Sequence, residues 1–299
     1  MDRLHVMSVF VAVAEAESFA GGARRLGMSP PAVTRAIAAL EARLGVKLLN
    51  RTTRCVRVTD AGQRYLDDAR RLIAEVDEAE EAAAGINAEP RGHLAVTAPV
   101  LFGQMFVTPG IVAYLQRYPA MTASALFLDR VVNLLEEGLD VGVRIGELPD
   151  SSMKAIRVGQ VRRVVCAAPM YLAEQGIPRT PAELVNHTII AARGIAPSVE
   201  WKFTGDGQIK TVRVKPRLIV TSNEAAIEAA LLGFGITRLL SYQVAHHLAV
   251  GELNIVLDEY ESAPLPIHVL HRESRQGSAK IRSFVDLMVA RLRAEQALH

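Results

Sequence analysis

Cysteine, tryptophan and long apolar runs are what this chain of 299 residues has least of. Two cysteines, Cys55 and Cys166, are too few for a disulfide framework, and the expected compartment is the cytoplasm. Aromatics are 5% of residues, with Trp201 the single tryptophan. Half of the chain is nonetheless hydrophobic, the composition of an ordinary soluble globular protein. No uninterrupted stretch of about 18 apolar residues occurs, so no membrane span is expected. The opening MDRLHVMSVFVAVAEAE has an apolar centre but ends in acids without a small-residue cleavage site. It reads as an amphipathic helix over 2–16 rather than a signal peptide.

Signatures of catalysis are also missing. There is no glycine-rich phosphate loop and no Gly-x-Ser-x-Gly elbow, and the GFGIT stretch follows a helix, the wrong order for a dinucleotide fingerprint. The histidines lack metal-ligand spacing joined to a carboxylate. His246 and His247, adjacent on a helix, diverge by about 100°. No catalytic residue, metal or cofactor is expected. An α/β enzyme remains only as a competing reading.

Charge is sparse overall, at +2, but unevenly placed. From Arg24 to Arg57 stand eight basic residues against one acid, Glu41, a local surplus of +7 that suits phosphate. Within this region Ser29 to Leu44 reads as a helix. Ser29 fits the N-cap and Pro30 the first turn, while Val33, Ile37, Leu40 and Leu44 form one apolar face. The opposite face carries Pro31, Thr34, Arg35 and Ala38, with no acid. Upstream, Ser18 caps a short helix through Leu26, and Gly27 breaks the two apart. This is the pattern of a helix-turn-helix, whose second helix enters the major groove. The competing reading is a helical hairpin with solvated arginines; the basic surplus weighs against it.

Two short extended runs follow, Lys47–Arg51 and Cys55–Val58, as a two-stranded wing with a basic tip. Arg51, Thr53, Arg54 and Arg57 are its candidate backbone contacts. Thr59 then caps a long helix to about Asn87. Tyr65, Leu72, Ala79 and Ile86 form one seven-residue series and Ala69, Val76 and Ala83 another, the spacing of a coiled-coil seam. Acids crowd its outer face, so it does not lie on DNA. A second copy of the same helix is the simplest partner, and packing on its own domain is the alternative. Glu89-Pro90-Arg91-Gly92 ends it.

Beyond Gly92 strand and helix alternate. Strands are expected at 93–98, 122–128, 139–145, 162–168, 187–191, 217–221, 236–239 and 267–271, with a hairpin turning at Gly205-Asp206-Gly207. Helices are expected near 102–117, 131–137, 169–175, 224–232, 241–248 and 279–294.

Phe19, Ala23, Leu26, Ser29, Val33, Thr34, Ile37, Leu40, Glu41, Leu44 and Gly45, and above all the stretch ALEARLGVKLLNRTTRCVRVTDAG, resemble the LysR-type transcriptional regulators of bacteria. The later pieces LEEGLDVGVRIG, APMYLAEQG and ALLGFGITRLL resemble the same family's effector domain. Two departures stand out: Pro30-Pro31 at the helix entry, and Leu49 in place of the usual aromatic. The resemblance implies a winged helix-turn-helix head over 1–59, an α-helical linker and dimerisation helix over 60–90, and an effector-binding domain over 91–299. That last domain would be α/β and periplasmic-binding-protein-like, with lobe I at about 91–162 and 267–299 and lobe II at about 163–266, joined by two crossing strands.

A small-molecule effector would sit between the lobes, where the strands end and helices begin. Those ends fall at Thr97–Phe102, Asp129–Arg130, Arg144–Gly146, Ala167–Ala168 and Thr221–Glu224. The candidate effector residues are Thr97, Ala98, Pro99, Phe102, Arg144, Gly146, Ala168 and Asn223. Arg144 would take a carboxylate if the effector carries one. Against this, Thr97 can be strand filler, Asn223 a plain cap, and Arg144 an internal partner of Asp140 or Glu147. Trp201 reads as core packing. The expected function is sequence-specific transcriptional regulation under effector control, with Ser29, Pro31, Thr34 and Arg35 facing the DNA. A redox sensor built on Cys55, flanked by Arg54 and Arg57, is the alternative. Expected partners are double-stranded DNA, the effector, a second copy through the linker helix in a homodimer or homotetramer, and RNA polymerase.

Overall fold

The structure, a computed structural model, describes residues 2–51, 56–84, 89–130, 132–134, 137–148, 153–192, 200–205, 207–272 and 278–299. The chain divides into two compact units, Met1–Ala88 with Gly277–Ala279, and Glu89–Gln276 with Lys280–His299.

The first unit opens with α1 (Arg3–Glu15), capped by the Asp2 carboxylate, which accepts from the Leu4 amide at 3.1 Å. Ser18 caps α2 (Phe19–Arg25) by accepting from the Gly21 amide. Gly22 lets α2 lie against α1, since a Cβ there would fall 2.7 Å from a Val13 methyl. Gly27, at φ 63°, makes the turn into α3 (Pro30–Leu44). Ser29 holds the N-cap position of α3, but its side chain makes no cap bond. The reason is local: Pro31 has no N–H to offer, and the Ala32 amide donates to the Ser29 carbonyl. Val6, Val9, Phe10 and Val13 of α1 meet Val33, Ile37 and Leu40 of α3 in one core. Leu44, expected on that face, is instead 40% exposed, because the core ends one turn earlier at Leu40 and Glu41. The wing is β1 (Leu49–Arg51) paired antiparallel with β2 (Val56–Val58). α4 (Asp60–Ala84) follows, its first turn capped by Thr59 Oγ1, which accepts from the Gly62 amide at 2.9 Å.

The second unit carries two five-stranded sheets. Lobe I is built from β3 (Gly92–Ala98), β4 (Met121–Phe127), β5 (Val141–Ile145), β6 (Met153–Val161) and the returning β14 (Leu265–Arg272), in the order β4-β3-β5-β14-β6. Its helices are α5 (Val100–Phe102), α6 (Thr108–Arg117) and α10 (Ala279–Ala294), and Phe284, Met288 and Leu292 of α10 pack on Val96, Val143 and Val269. Lobe II has β7 (Arg163–Ala167), β8 (Ile189–Ala192), β11 (Pro216–Val220), β12 (Ile236–Leu240) and β13 (Asn254–Val256), ordered β11-β8-β12-β7-β13. Around it lie α7 (Pro169–Gln175), α8 (Asn223–Leu231), α9 (Ser241–Ala249) and the hairpin β9 (Glu200–Gly205) with β10 (Gln208–Arg213).

Three expectations are corrected here. The helix expected at 131–137 is not formed among its described residues, which make only a single turn closed by the Glu137 amide on the Asn133 carbonyl. The helix expected over 102–117 is interrupted by a π-helix, Gly103–Val107. Pro109 cannot donate to the carbonyl four residues back, and the Thr108 amide reaches five residues back to Gly103 instead. β6 was not expected at all. It is the outer strand of its sheet, and Lys154, Arg157 and Gln160 break the apolar alternation that reveals a half-buried strand.

Candidate functional site

In the first unit, the face of α3 turned away from the core presents Ser29, Pro31, Arg35 and Ala38 to solvent, with Thr34 half-buried among them. Arg35 makes no ion pair among the described residues, whereas Arg25 and Arg70 are both tied to Glu15. A slim, uncommitted basic face over a tightly packed helix can enter a DNA groove without unfolding anything. Arg57 is exposed on β2, and Arg51 ends β1. Thr53, Arg54 and Cys55, expected at or beside the wing tip, lie outside the described residues.

In the sequence Glu41 stands out as the lone acid of a basic region and as one of the residues that carry the family resemblance. The fold gives it a task. Its carboxylate is buried and accepts from the amides of Leu48 at 2.9 Å and Leu49 at 3.1 Å, and from Lys47 Nζ at 2.7 Å. Burial alone would raise its pKa. The Lys47 ammonium and the two amides outweigh that and hold it below the usual glutamate range. α3 and the wing are thereby locked together by one anion.

On lobe I, Thr97 is wholly buried on β3 and its hydroxyl has no hydrogen-bond partner among the described residues. Thr97→Val is therefore expected to leave stability unchanged or to raise it by up to about 1 kcal/mol in urea unfolding, since an unmade bond is all that is removed. A clear loss would show that the hydroxyl is satisfied in solution. Ala98 is buried, Pro99 stands at the start of α5, and Gly146 follows β5 with φ 114°. Phe102 is fully buried and meets the rings of Phe106 at 4.9 Å and of Tyr242, from α9 in lobe II, at 5.4 Å. Arg144 lies beside His268 on the neighbouring strand, and one of its nitrogens donates to the Val143 carbonyl at 2.9 Å. Another is buried without an acceptor among the described residues, and burial lowers the Arg144 pKa. The Asp140 carboxylate accepts the Ala95 amide at 2.8 Å.

On lobe II, Ala168 is buried before α7, and Asn223 opens α8. The cap of α8 is Ser222, which accepts from the Ala225 amide, so the Asn223 side chain is spared that duty. It lines a cavity of about 480 Å³ with Arg163 of β7, Glu200, Trp201 and Lys202 of β9, Arg238, Leu239 and Leu240 of β12, and Gln243 of α9. Of the effector residues expected from the sequence, Asn223 is the one that reaches this cavity. Arg163 and Arg238 were missed. The signals were an arginine pair at the lobe crossing and an arginine inside the apolar run ITRLL. Trp201, expected as packing, is 8% exposed and forms part of the wall.

Two connections join the lobes: Arg162 between β6 and β7, and the stretch 257–264 between β13 and β14. The Arg162 guanidinium clips them together through Glu261 at 3.0 Å. Cys166 is buried and burial pushes its thiol up to about 12, which removes it as a thiolate at neutral pH.

A family profile described as the bacterial regulatory helix-turn-helix protein, lysR family, matches residues 4–63. A second, the LysR substrate binding domain, matches 87–293. The chain is 33% identical to the transcriptional activator AaeR of Escherichia coli over 287 residues, 96% of this chain and 93% of that protein. Among solved structures, CrgA, a LysR-type transcriptional regulator from Neisseria meningitidis, superposes with a TM-score of 0.62 at 31% identity, covering 96% of this chain and 98% of the other. The Vibrio cholerae virulence activator AphB superposes at 0.63 with 25% identity, over 97% and 99% of the two chains. Among the described residues no helix is long and apolar enough to cross a membrane.

Proposed function

The chain belongs to the LysR family of bacterial transcriptional regulators, a DNA-binding regulator with an effector-binding domain and not an enzyme, and we propose that it reads its operator through α3 and is switched by a small molecule held between its two lobes. The observation that carries this reading is the exposed Arg35 face of α3, without an ion pair among the described residues and clamped to a wing, in a chain that also holds a cavity beside the lobe crossing. Pro31, Thr34 and Arg35 face base edges or phosphates, and Arg51, Arg54 and Arg57 contact the backbone. A differential fit of the effector to two lobe arrangements supplies the switch. The working form is a homodimer through α4, assembling further to a tetramer, in the cytoplasm, with RNA polymerase as the downstream partner.

Arg35→Ala is expected to lower operator affinity by about 1–3 kcal/mol and to relax specificity at one base position, as the loss of a base-reading side chain does. Fluorescence anisotropy against single-base operator variants checks this. A uniform loss at every variant would make Arg35 a phosphate contact, and no loss at all would remove α3 from the groove.

A further inference from the structure

The lobe II cavity has an unbalanced charge. Three cations, Arg163, Lys202 and Arg238, line it together with one acid, Glu200, and that acid is engaged by Arg213 at 3.2 Å. Glu261, the carboxylate whose charge acts on Arg238, is already held by Arg162 at 3.0 Å. Arg163 makes no ion pair among the described residues. The Arg238 guanidinium donates to the Lys202 carbonyl, lies 5.0 Å from the Phe203 ring centre and 5.9 Å from that of Trp201, and keeps a buried Nε with no acceptor among the described residues. Burial and the facing Arg163 bring the Arg238 pKa down to about 10, so at neutral pH the side chain stays charged. Two guanidiniums are thus held close enough to repel, that of Arg238 partly desolvated, with no anion between them among the described residues. Such an arrangement is costly unless a ligand supplies the missing charge.

The rest of the wall says what that ligand carries besides charge. Trp201, Leu239 and Leu240 give it apolar surface, and Asn223, freed from capping by Ser222, stands in the first turn of α8, where the helix favours an anion. A volume of about 480 Å³ falls within the usual range of small-molecule sites. Resting on the effector reading above, we propose that the effector is a small organic carboxylate whose carboxylate is held by Arg163 and Arg238, with its hydrocarbon body against Trp201 and Leu239. This transfers the anion contact from Arg144 on lobe I to the arginine pair on lobe II.

The test uses the full chain and four kinds of probe: the carboxylates benzoate, cyclohexanecarboxylate and succinate, the uncharged benzamide, the cationic benzylamine, and inorganic phosphate. Binding is read by thermal shift and by the fluorescence of Trp201, the single tryptophan, which the cavity itself contains. Operator affinity is read in parallel. At least one carboxylate is expected to raise Tm, change Trp201 emission and alter operator affinity, while benzamide, benzylamine and phosphate do not. Arg238→Gln and Arg163→Gln should each weaken that carboxylate ten- to a hundredfold. Unliganded Arg238→Gln should unfold at the same temperature as the wild type or higher, because an uncompensated charge is gone. If Arg238→Gln fails to fold, the more exposed Arg163→Gln carries the test. Undiminished carboxylate affinity in Arg163→Gln overturns the proposal, as does a preference for benzamide, benzylamine or phosphate. In that last case an altered operator affinity leaves the effector reading standing while the carboxylate falls; no response to any probe counts against both.

Discussion

Glu41→Ala is expected to destabilise the N-terminal unit by about 2–5 kcal/mol and to lower operator affinity at least tenfold. The substitution strips two buried amides, those of Leu48 and Leu49, of their acceptor. Each buried donor left unmade costs about 1–3 kcal/mol. The Lys47 contact adds little, because Lys47 is largely exposed. The loss of affinity follows from geometry, since the carboxylate ties α3 to the start of the wing. Glu41→Gln keeps an oxygen for the amides and should cost clearly less. The pH dependence has a definite sign. A carboxyl whose folded pKa is depressed contributes stability above its unfolded pKa and loses it as pH falls through the folded value. Wild type should therefore weaken in acid below the usual glutamate range, and Glu41→Gln should show a shallower slope there. Urea unfolding of the head across pH checks both; an Ala variant as stable as wild type would show that the clamp is not needed.

Leu72→Asp is expected to abolish the dimer and, with it, at least about a hundredfold of operator affinity. Two heads joined on one operator gain by effective concentration, and separated heads lose that gain. The structure narrows where the seam can begin. Tyr65 packs its ring on Phe10 at 5.4 Å and Ala69 is wholly buried within the head, so the first members of both series are used inside their own unit. Leu72 is 39% exposed, and Val76 is half-buried, further along the same helix. A charge at Leu72 would be desolvated and unpaired in a helix–helix interface but harmless in an isolated helix. Sedimentation velocity gives the oligomer, and circular dichroism confirms that the variant is folded. An unchanged oligomer would place the interface elsewhere.

The head was the most legible part of the chain, for a physical reason. Its helices are defined by short-range features: caps at Ser18 and Thr59, a glycine turn at Gly27, and apolar periods at Val33, Ile37 and Leu40. The alternation of strands and helices beyond Gly92 was legible in the same way, since a strand buried on both faces, such as Val164–Ala167 or Ile189–Ala191, writes itself as an apolar run. Elements that depend on distant partners were not. β6 is polar because an outer strand needs only one neighbour, and the π-helix records how the chain absorbs Pro109. Ser29 sits at a cap position yet does not cap, because Pro31 has removed the amide that it would have held.

Charges obey the same division. The basic surplus between Arg24 and Arg57 is visible as composition, because every residue of it lies in one short stretch. Whether a given charge is spent or spare depends on what the fold brings beside it. Glu41 finds two backbone amides, Asp140 finds the Ala95 amide, and Arg162 finds Glu261. Arg163 and Arg238 come from strands paired side by side, β7 and β12, and find each other. The sequence by itself determined the family and the alternation of strand and helix beyond Gly92, because local periodicity and composition encode them. Only the tertiary structure decided which carboxylate holds the wing and which arginines find no anion among the described residues, because those depend on pairings between segments apart in the chain.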